Sequence, residues 1–79
     1  MARYFFDFSF DDRVVLDDRG LDYATLSAAG DDAVLALTAM AMDYMPFRSQ
    51  MRSIAVAVRD RSGRSLLRIS LDMERQSLH

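Results

Sequence analysis

Apolar and polar residues alternate at the start of the chain, over residues 3–10. Side chains two residues apart share one face of a strand, so this pattern predicts a strand with one aromatic face. That face holds Tyr4, Phe6, Phe8 and Phe10. Asp11-Asp12 then predicts a turn, because Asp side chains bond to nearby backbone groups. Residues 13–17 are predicted as the return strand of a hairpin.

A helical period replaces the alternation over residues 26–45. Thr25 is the predicted N-cap, since its hydroxyl can accept a hydrogen bond from a free N–H of the first turn, and Pro46 ends the helix. Apolar residues at helical spacing form a stripe that is expected to face the sheet: Leu26, Ala33, Leu37, Met40 and Tyr44. Gly30 costs the helix about 1 kcal/mol relative to Ala, and it is expected to permit a close approach to the sheet.

Alternation returns after the helix, over residues 52–60 and 64–73, with a turn at Arg61-Ser62-Gly63 between them. The two segments are predicted as a third and a fourth strand, joined in a second hairpin. The tail, residues 74–79, is predicted to fray.

This order of elements, ββαββ, predicts a single α+β domain over residues 1–79. A four-stranded, mainly antiparallel sheet is expected to be covered on one face by the helix, in two layers. The first and third strands are the most apolar on both faces, which favours the spatial order 2-1-3-4. A ubiquitin-like order, 2-1-4-3 with the first and fourth strands parallel, is the alternative. The predicted core contains Phe6, Phe8, Leu37, Ile54, Val56 and Ile69.

Several short motifs are spread over most of the chain. They are Arg3-Tyr4-Phe5-Phe6, Asp17-Asp18-Arg19-Gly20, Leu26 with Ala28-Ala29 and Asp32-Ala33, and Val58-Arg59-Asp60 with Gly63 and Leu66-Leu67. Together they resemble a small uncharacterised domain family common in alphaproteobacteria. The family usually opens Arg-Tyr-Phe-Phe-His, whereas Asp7 stands here at the His position, and Thr25 stands where the family has an acidic helix cap. The resemblance implies the ββαββ fold and carries no known activity.

Composition limits how so short a chain reaches stability. A domain of this size buries only about 60% of its unfolded surface, and the sequence has no cysteine and a single histidine, His79. Disulfides and Cys/His metal sites are therefore absent, which leaves oligomerisation as the simplest supplement. The sequence has neither an apolar run of about 18 residues nor a basic-then-apolar leader. The chain is predicted to be cytoplasmic, with no membrane partner.

The residue inventory argues against an enzyme. Covalent catalysis needs a nucleophile beside a base, and no Cys, Lys or internal His is available. The glycines are dispersed and form no phosphate-binding loop, so no cofactor is expected. Asp pairs at 11–12, 17–18 and 31–32 suggest a calcium site. Turns and a solvated helix face explain them better, because the spacing of a calcium-binding loop is missing, and no metal is predicted.

The helix face that points away from the sheet is apolar, where a surface helix is normally polar. It carries Ala28, Leu35, Ala39 and Met42, and the only charges of the helix are three Asp residues. With no second helix in the chain, another molecule must cover this face. The sequence predicts a protein-interaction module, most simply a homodimer in which the small alanines let a second helix approach closely. An unidentified protein partner is the other candidate occupant.

A nucleic-acid-associated regulator, similar to an antitoxin, is the alternative function. Arg59, Arg61, Arg64 and Arg68 surround the second hairpin, where they could contact phosphates. Charge is divided along the chain, because residues 1–45 hold nine Asp against three Arg and residues 46–79 hold seven Arg against three acidic residues. The net charge of −2 makes nucleic acid the less favoured partner.

Overall fold

The computed structural model describes residues 1–44, 52–74 and 76–78. Within these residues the elements are, in chain order, β1 Ala2–Phe10, β2 Arg13–Val15, β3 Leu21–Tyr23, α1 Leu26–Tyr44, β4 Ser53–Asp60 and β5 Ser65–Asp72. The helix lies on one face of a sheet, which confirms the α+β class. The predicted helix end at Met45 and Pro46 lies outside the described residues.

The sheet is open and antiparallel, with the order β2-β1-β4-β5 and with β3 paired to β1. β1 pairs with β4, Phe6 lying opposite Val58, and β4 pairs with β5, Val56 lying opposite Ile69. This is the predicted order 2-1-3-4. The ubiquitin-like alternative is wrong, because its central pair would be β1 and β5 in parallel.

The strand β3 corrects the predicted count of four strands. It pairs with the first half of β1, Ala2 opposite Tyr23, while β2 pairs with the second half. Three residues are too few to show an alternation, so β3 depends on contacts made across the fold. Arg3 Nε donates to Asp22 Oδ1 at 3.1 Å, and the Tyr23 ring stacks on Phe6 with 5.8 Å between centroids.

The core lies between α1 and the sheet. Its fully buried residues are Ala29, Ala33, Leu37, Ile54, Val56 and Val58, and the half-buried Phe6, Phe8 and Ile69 pack against them. All six residues predicted for the core therefore belong to it. The face prediction for β1 is confirmed for the same reason.

Two local predictions about α1 are also confirmed. The Ala28 N–H donates to Thr25 Oγ1 at 3.0 Å, so Thr25 is the N-cap. Gly30 is buried against β5, and a Cβ there would lie 2.9 Å from Leu67 Cδ2. The missing side chain lets the helix approach the sheet at this position.

Candidate functional site

The residues predicted as an interface lie on the exposed side of α1. Leu35 is 69% exposed and Met42 is 70% exposed, and Ala39 is exposed between them, whereas Ala28 is half-buried in the first helical turn. With the exposed Val34 and Thr38 they form an apolar patch, called here the outer helix face: Val34, Leu35, Thr38, Ala39 and Met42. Among the described residues, no helix has the length and apolar character needed to cross a membrane.

The four arginines of the nucleic-acid alternative do not act as one group. Arg61, Arg64 and Arg68 are exposed. Arg59 instead lies on the sheet face opposite the helix, where its guanidinium is bound within the protein. Its Nε donates to Asp7 Oδ2 at 2.8 Å, so phosphate would have to displace a carboxylate there. Nucleic-acid binding stays a prediction that rests on the other three arginines.

Arg59 is the centre of a polar cluster on this open sheet face, called here the Asp7 cluster: Phe5, Asp7, Asp17 and Arg59. Arg59 Nη2 donates to Asp7 Oδ1 at 3.2 Å and to the Asp17 carbonyl oxygen at 2.9 Å. The Arg59 guanidinium also lies over the Phe5 ring, 4.6 Å from its centroid, in cation–π geometry. Asp7 is buried, with 8% of its surface exposed, because its strand neighbours and this arginine cover it.

Between β2 and β3, the Asp17 side chain pairs with the edge of β1, which no strand covers there. The Phe6 N–H, on the edge of β1, donates to Asp17 Oδ2 at 3.1 Å. The other carboxylate oxygen accepts from the N–H groups of Arg19 and Gly20, which closes the loop as an Asx turn. In return, the Asp17 N–H donates to Asp7 Oδ1 at 2.9 Å. A backbone donor that the interrupted edge would leave unpaired is thereby satisfied.

Both carboxylates of the cluster are stabilised in their charged form. The hydrogen bonds from Arg59 hold the pKa of Asp7 below its usual range, although burial opposes them. Burial raises the pKa of Asp17, but the hydrogen bonds from the N–H groups of Arg19, Phe6 and Gly20 together have the larger effect. The pKa of Asp17 is therefore below its usual value. Neither carboxyl is protonated at neutral pH, so neither can act there as a general acid. The cluster anchors the loop between β2 and β3.

Acid is expected to destabilise the protein through the Asp7 cluster. A carboxyl with a lowered folded pKa stabilises the fold above its unfolded pKa, about 3.9 for Asp, and this stabilisation is lost as the pH falls through the folded value. Asp7→Asn removes one titrating charge at nearly constant shape. Thermal melts from about pH 7 to about pH 2 should find this variant less stable than wild type at neutral pH and less sensitive to acid.

Asp12→Asn is the matched control, since Asp12 lies at an exposed turn position. Its melting temperature should follow the wild-type curve over the whole range. An Asp7→Asn curve that runs parallel to wild type down to the lowest pH would contradict the role given to Asp7.

The acidic pairs that suggested calcium have other partners. Asp11 Oδ1 accepts from the N–H groups of Arg52 and Ser53, and Asp32 accepts from the Tyr23 hydroxyl. Burial and the Asp32 carboxylate raise the pKa of Tyr23 to about 12, so this hydroxyl keeps its proton at neutral pH. Within residues 1–44, 52–74 and 76–78, no three carboxylate or imidazole groups come close enough to hold a metal ion.

Sequence reasoning missed the Asp7 cluster. The sequence presents Asp7 as a departure from a motif and Arg59 as a candidate phosphate ligand. The available signal is the charge of Asp7 in a strand with aromatic residues on both faces, because a carboxylate that is buried there needs a partner of opposite charge. The predicted pairing of the first and third strands carries no register, so it does not identify Arg59 as that partner.

A groove of about 370 Å³ lies beside α1 on the helix side of the sheet. Its lining residues are Phe6, Phe8, Val15, Leu16, Asp17, Asp18 and Ala36. It lies where the short strand β2 and the loop after it run beside β1 and α1. Sequence patterns carry no signal for it, since its walls come from three separate elements.

One family model matches this chain, over residues 3–72, with the description Domain of unknown function (DUF6894). Comparison with curated proteins and with solved structures gives no match. The matched range includes the Asp7 cluster, the outer helix face and the strand β5.

Proposed function

Because the chain belongs to the DUF6894 family, a domain of unknown function, we propose a function from its geometry: it is an interaction module that forms a homodimer through the outer helix face. The observation that carries this proposal is the exposure of two long apolar side chains, Leu35 and Met42, on one side of α1. Their Cα atoms lie two turns apart along the helix, so they border one continuous patch. Contiguous apolar patches on small domains commonly mark interfaces.

The polar composition of the patch suits burial in an interface. No charged residue occurs in α1 between Asp32 and Asp43. The Thr38 hydroxyl donates to the Val34 carbonyl oxygen at 2.8 Å. Covering Thr38 therefore leaves no unpaired hydroxyl, which removes the usual penalty for burying a polar side chain.

An antiparallel pair of helices fits the patch best. A two-fold axis near Thr38 and Ala39 would bring Leu35 of one copy against Met42 of the other, with the small Ala39 at the point of close approach. A parallel pair would instead place Asp43 beside its own copy, and like charges repel. The half-buried Ala28 lies two turns before Leu35, so it would border the contact from one end.

The test is a measurement of mass by light scattering at several protein concentrations. The wild type should approach twice its chain mass of 9.0 kDa by about 100 µM, where weak specific association is detectable. Leu35→Asp should lower the dimer fraction, and adding Met42→Glu should leave a monomer with a lower melting temperature. A wild type that is monomeric at this concentration removes the basis of the proposal.

Leu16→Asp is the matched control, because Leu16 is also 69% exposed but lies after β2 and is not part of the outer helix face. It should keep the wild-type mass. Equal loss of association in both Asp variants would indicate non-specific hydrophobic contact.

The nucleic-acid alternative is less well supported, since Arg59 is paired with Asp7. Cytoplasmic location and an origin in alphaproteobacteria stay predictions.

A further inference from the structure

We propose that the outer edge of β5 is a second self-association site, where two copies of the chain pair β5 with β5 in antiparallel orientation. This site is separate from the outer helix face. It would join two sheets into one and would allow assemblies larger than a dimer when both surfaces are used. Among the described residues, no strand pairs with the outer backbone groups of β5. The charge pattern of β5 and its contrast with the opposite edge of the sheet also favour this pairing.

The backbone of β5 offers one row of hydrogen-bonding groups to β4 and another row outward. The Met73 N–H donates to the Arg52 carbonyl oxygen at 2.7 Å. Because these groups alternate along a strand, the backbone N–H and C=O groups of Leu71 and Ile69 point towards β4. Those of Asp72, Ser70 and Arg68 point outward, away from the sheet. In the described part of the sheet no strand pairs with this outward row. An edge of this kind is a template for another strand.

The charges on β5 favour a second copy of this chain as the partner that pairs with its outer edge. Arg68 and Asp72 lie on the same face of β5, opposite Ala57 and Ser53 of β4. In an antiparallel pair with Ser70 at the two-fold axis, each Arg68 lies directly opposite Asp72 of the second copy. A lone arginine on an edge strand opposes pairing by repulsion, but here each arginine meets a carboxylate, twice per dimer.

Shifts of the register towards the start of β5 fit the chain less well. Outward backbone groups can pair only with outward groups, so one strand can shift along the other only by two residues at a time. The shift that centres the pair on Ile69 places Asp72 opposite Leu66, where a bulge interrupts β5. A further shift places Arg68 against its own copy. Centring on Ser70 uses the regular stretch 67–73 alone.

Apolar groups on the helix side fit the same pairing. Leu67 and Leu71 are exposed by 37% and 38% at this edge. Pairing around Ser70 would put Leu71 opposite Ile69 of the second copy and cover part of that surface. The other edge of the sheet is a poorer partner, because β2 and β3 are three residues each and the Asp17 loop separates them.

Cysteine scanning tests the register directly, since the chain has no cysteine of its own. In Ser70→Cys the two thiols would lie across the two-fold axis, about 5.5 Å apart at Cα, and a short bis-maleimide should join them. Ser65→Cys, in the same strand, would place its thiols about 33 Å apart at about 3.3 Å per residue. Thiols held in a complex react at an effective concentration of about 1 mM. Ser70→Cys at micromolar concentration should therefore give at least about tenfold more covalent dimer than Ser65→Cys.

Charge reversal tests the occupant. In the Ser70→Cys background, Arg68→Asp should lower the crosslinked fraction, because two carboxylates would face each other at both ends of the pair. Asp72→Arg should do the same, and the double exchange Arg68→Asp with Asp72→Arg should restore crosslinking. Circular dichroism of each variant establishes that the loss does not come from unfolding.

The outcomes separate this site from the outer helix face. Crosslinking through Ser70→Cys that persists in the Leu35→Asp, Met42→Glu background supports the β5 site whatever the fate of the helix interface. Equal crosslinking from Ser65→Cys and Ser70→Cys overturns the proposal. A double exchange that fails to restore crosslinking overturns it too. The proposal is also wrong if Arg68→Asp abolishes assembly but Ser70→Cys gives no crosslink, since β5 would then pair with a different surface.

Discussion

Leu37→Ala is expected to destabilise the protein by about 2–5 kcal/mol, the range for truncating a buried leucine when the cavity cannot collapse. Leu37 is 1% exposed and lies where α1 meets the buried residues of β4. A domain of 79 residues has a total stability of about 4–12 kcal/mol. The variant should lose a large part of it, and the urea midpoint should fall while the slope of the transition stays constant.

Leu35→Ala is the matched control for this experiment. It makes the same chemical change two positions away on the same helix, at a side chain that is 69% exposed. Measured at low protein concentration, its free energy of unfolding should lie within about 0.5 kcal/mol of wild type. Equal losses in the two variants would mean that the helix faces are assigned wrongly.

Gly20→Ala is expected to cost about 3 kcal/mol, through strain and the loss of Asp17 hydrogen bonds. Gly20 has a φ of 71°, in the left-handed region, where an alanine costs about 1–2 kcal/mol. A Cβ there would also lie 2.8 Å from the Tyr4 carbonyl oxygen and 2.9 Å from Phe5 Cε1. Since Tyr4 O belongs to the backbone of β1, the loop must move, and the hydrogen bonds of Asp17 to Phe6 and Gly20 are lost with it.

Gly63→Ala separates the strain of the backbone from the clash. Gly63 has a φ of 92°, and nothing lies within 4 Å of the position of its Cβ. It should cost only the conformational strain, about 1–2 kcal/mol. Hydrogen exchange adds a local measurement, because only Gly20→Ala should expose the Phe6 N–H. If Gly63→Ala is the more destabilising of the two, the clash of the new Cβ with β1 does not account for the cost of Gly20→Ala.

Much of the fold was predictable because it depends on local pattern. The two-residue alternation of β1, the helical period after Thr25 and the second hairpin each span neighbouring residues, and each signal appears within one element. The strand order followed as well, since β1 and β4 are the most apolar strands and charged side chains are more typical of edge strands.

The sites were predictable only in part. The exposure of Leu35 and Met42 agrees with the face that helical periodicity assigned to them. The role of Arg59 could not be derived in the same way. A cluster of arginines in the sequence does not tell which of them finds a carboxylate partner across the sheet.

The sequence by itself determined the α+β class, the helix cap and the residues of the core, because periodicity and capping act over one or two turns. Only the tertiary structure decided β3 and the Asp7 cluster. Asp7 and Arg59 are 52 residues apart, and their ion pair requires β1 and β4 to meet in one register. The physical reason is that a long-range contact depends on the register in which two strands meet and on the loops that end them, and the pattern of a single segment determines neither.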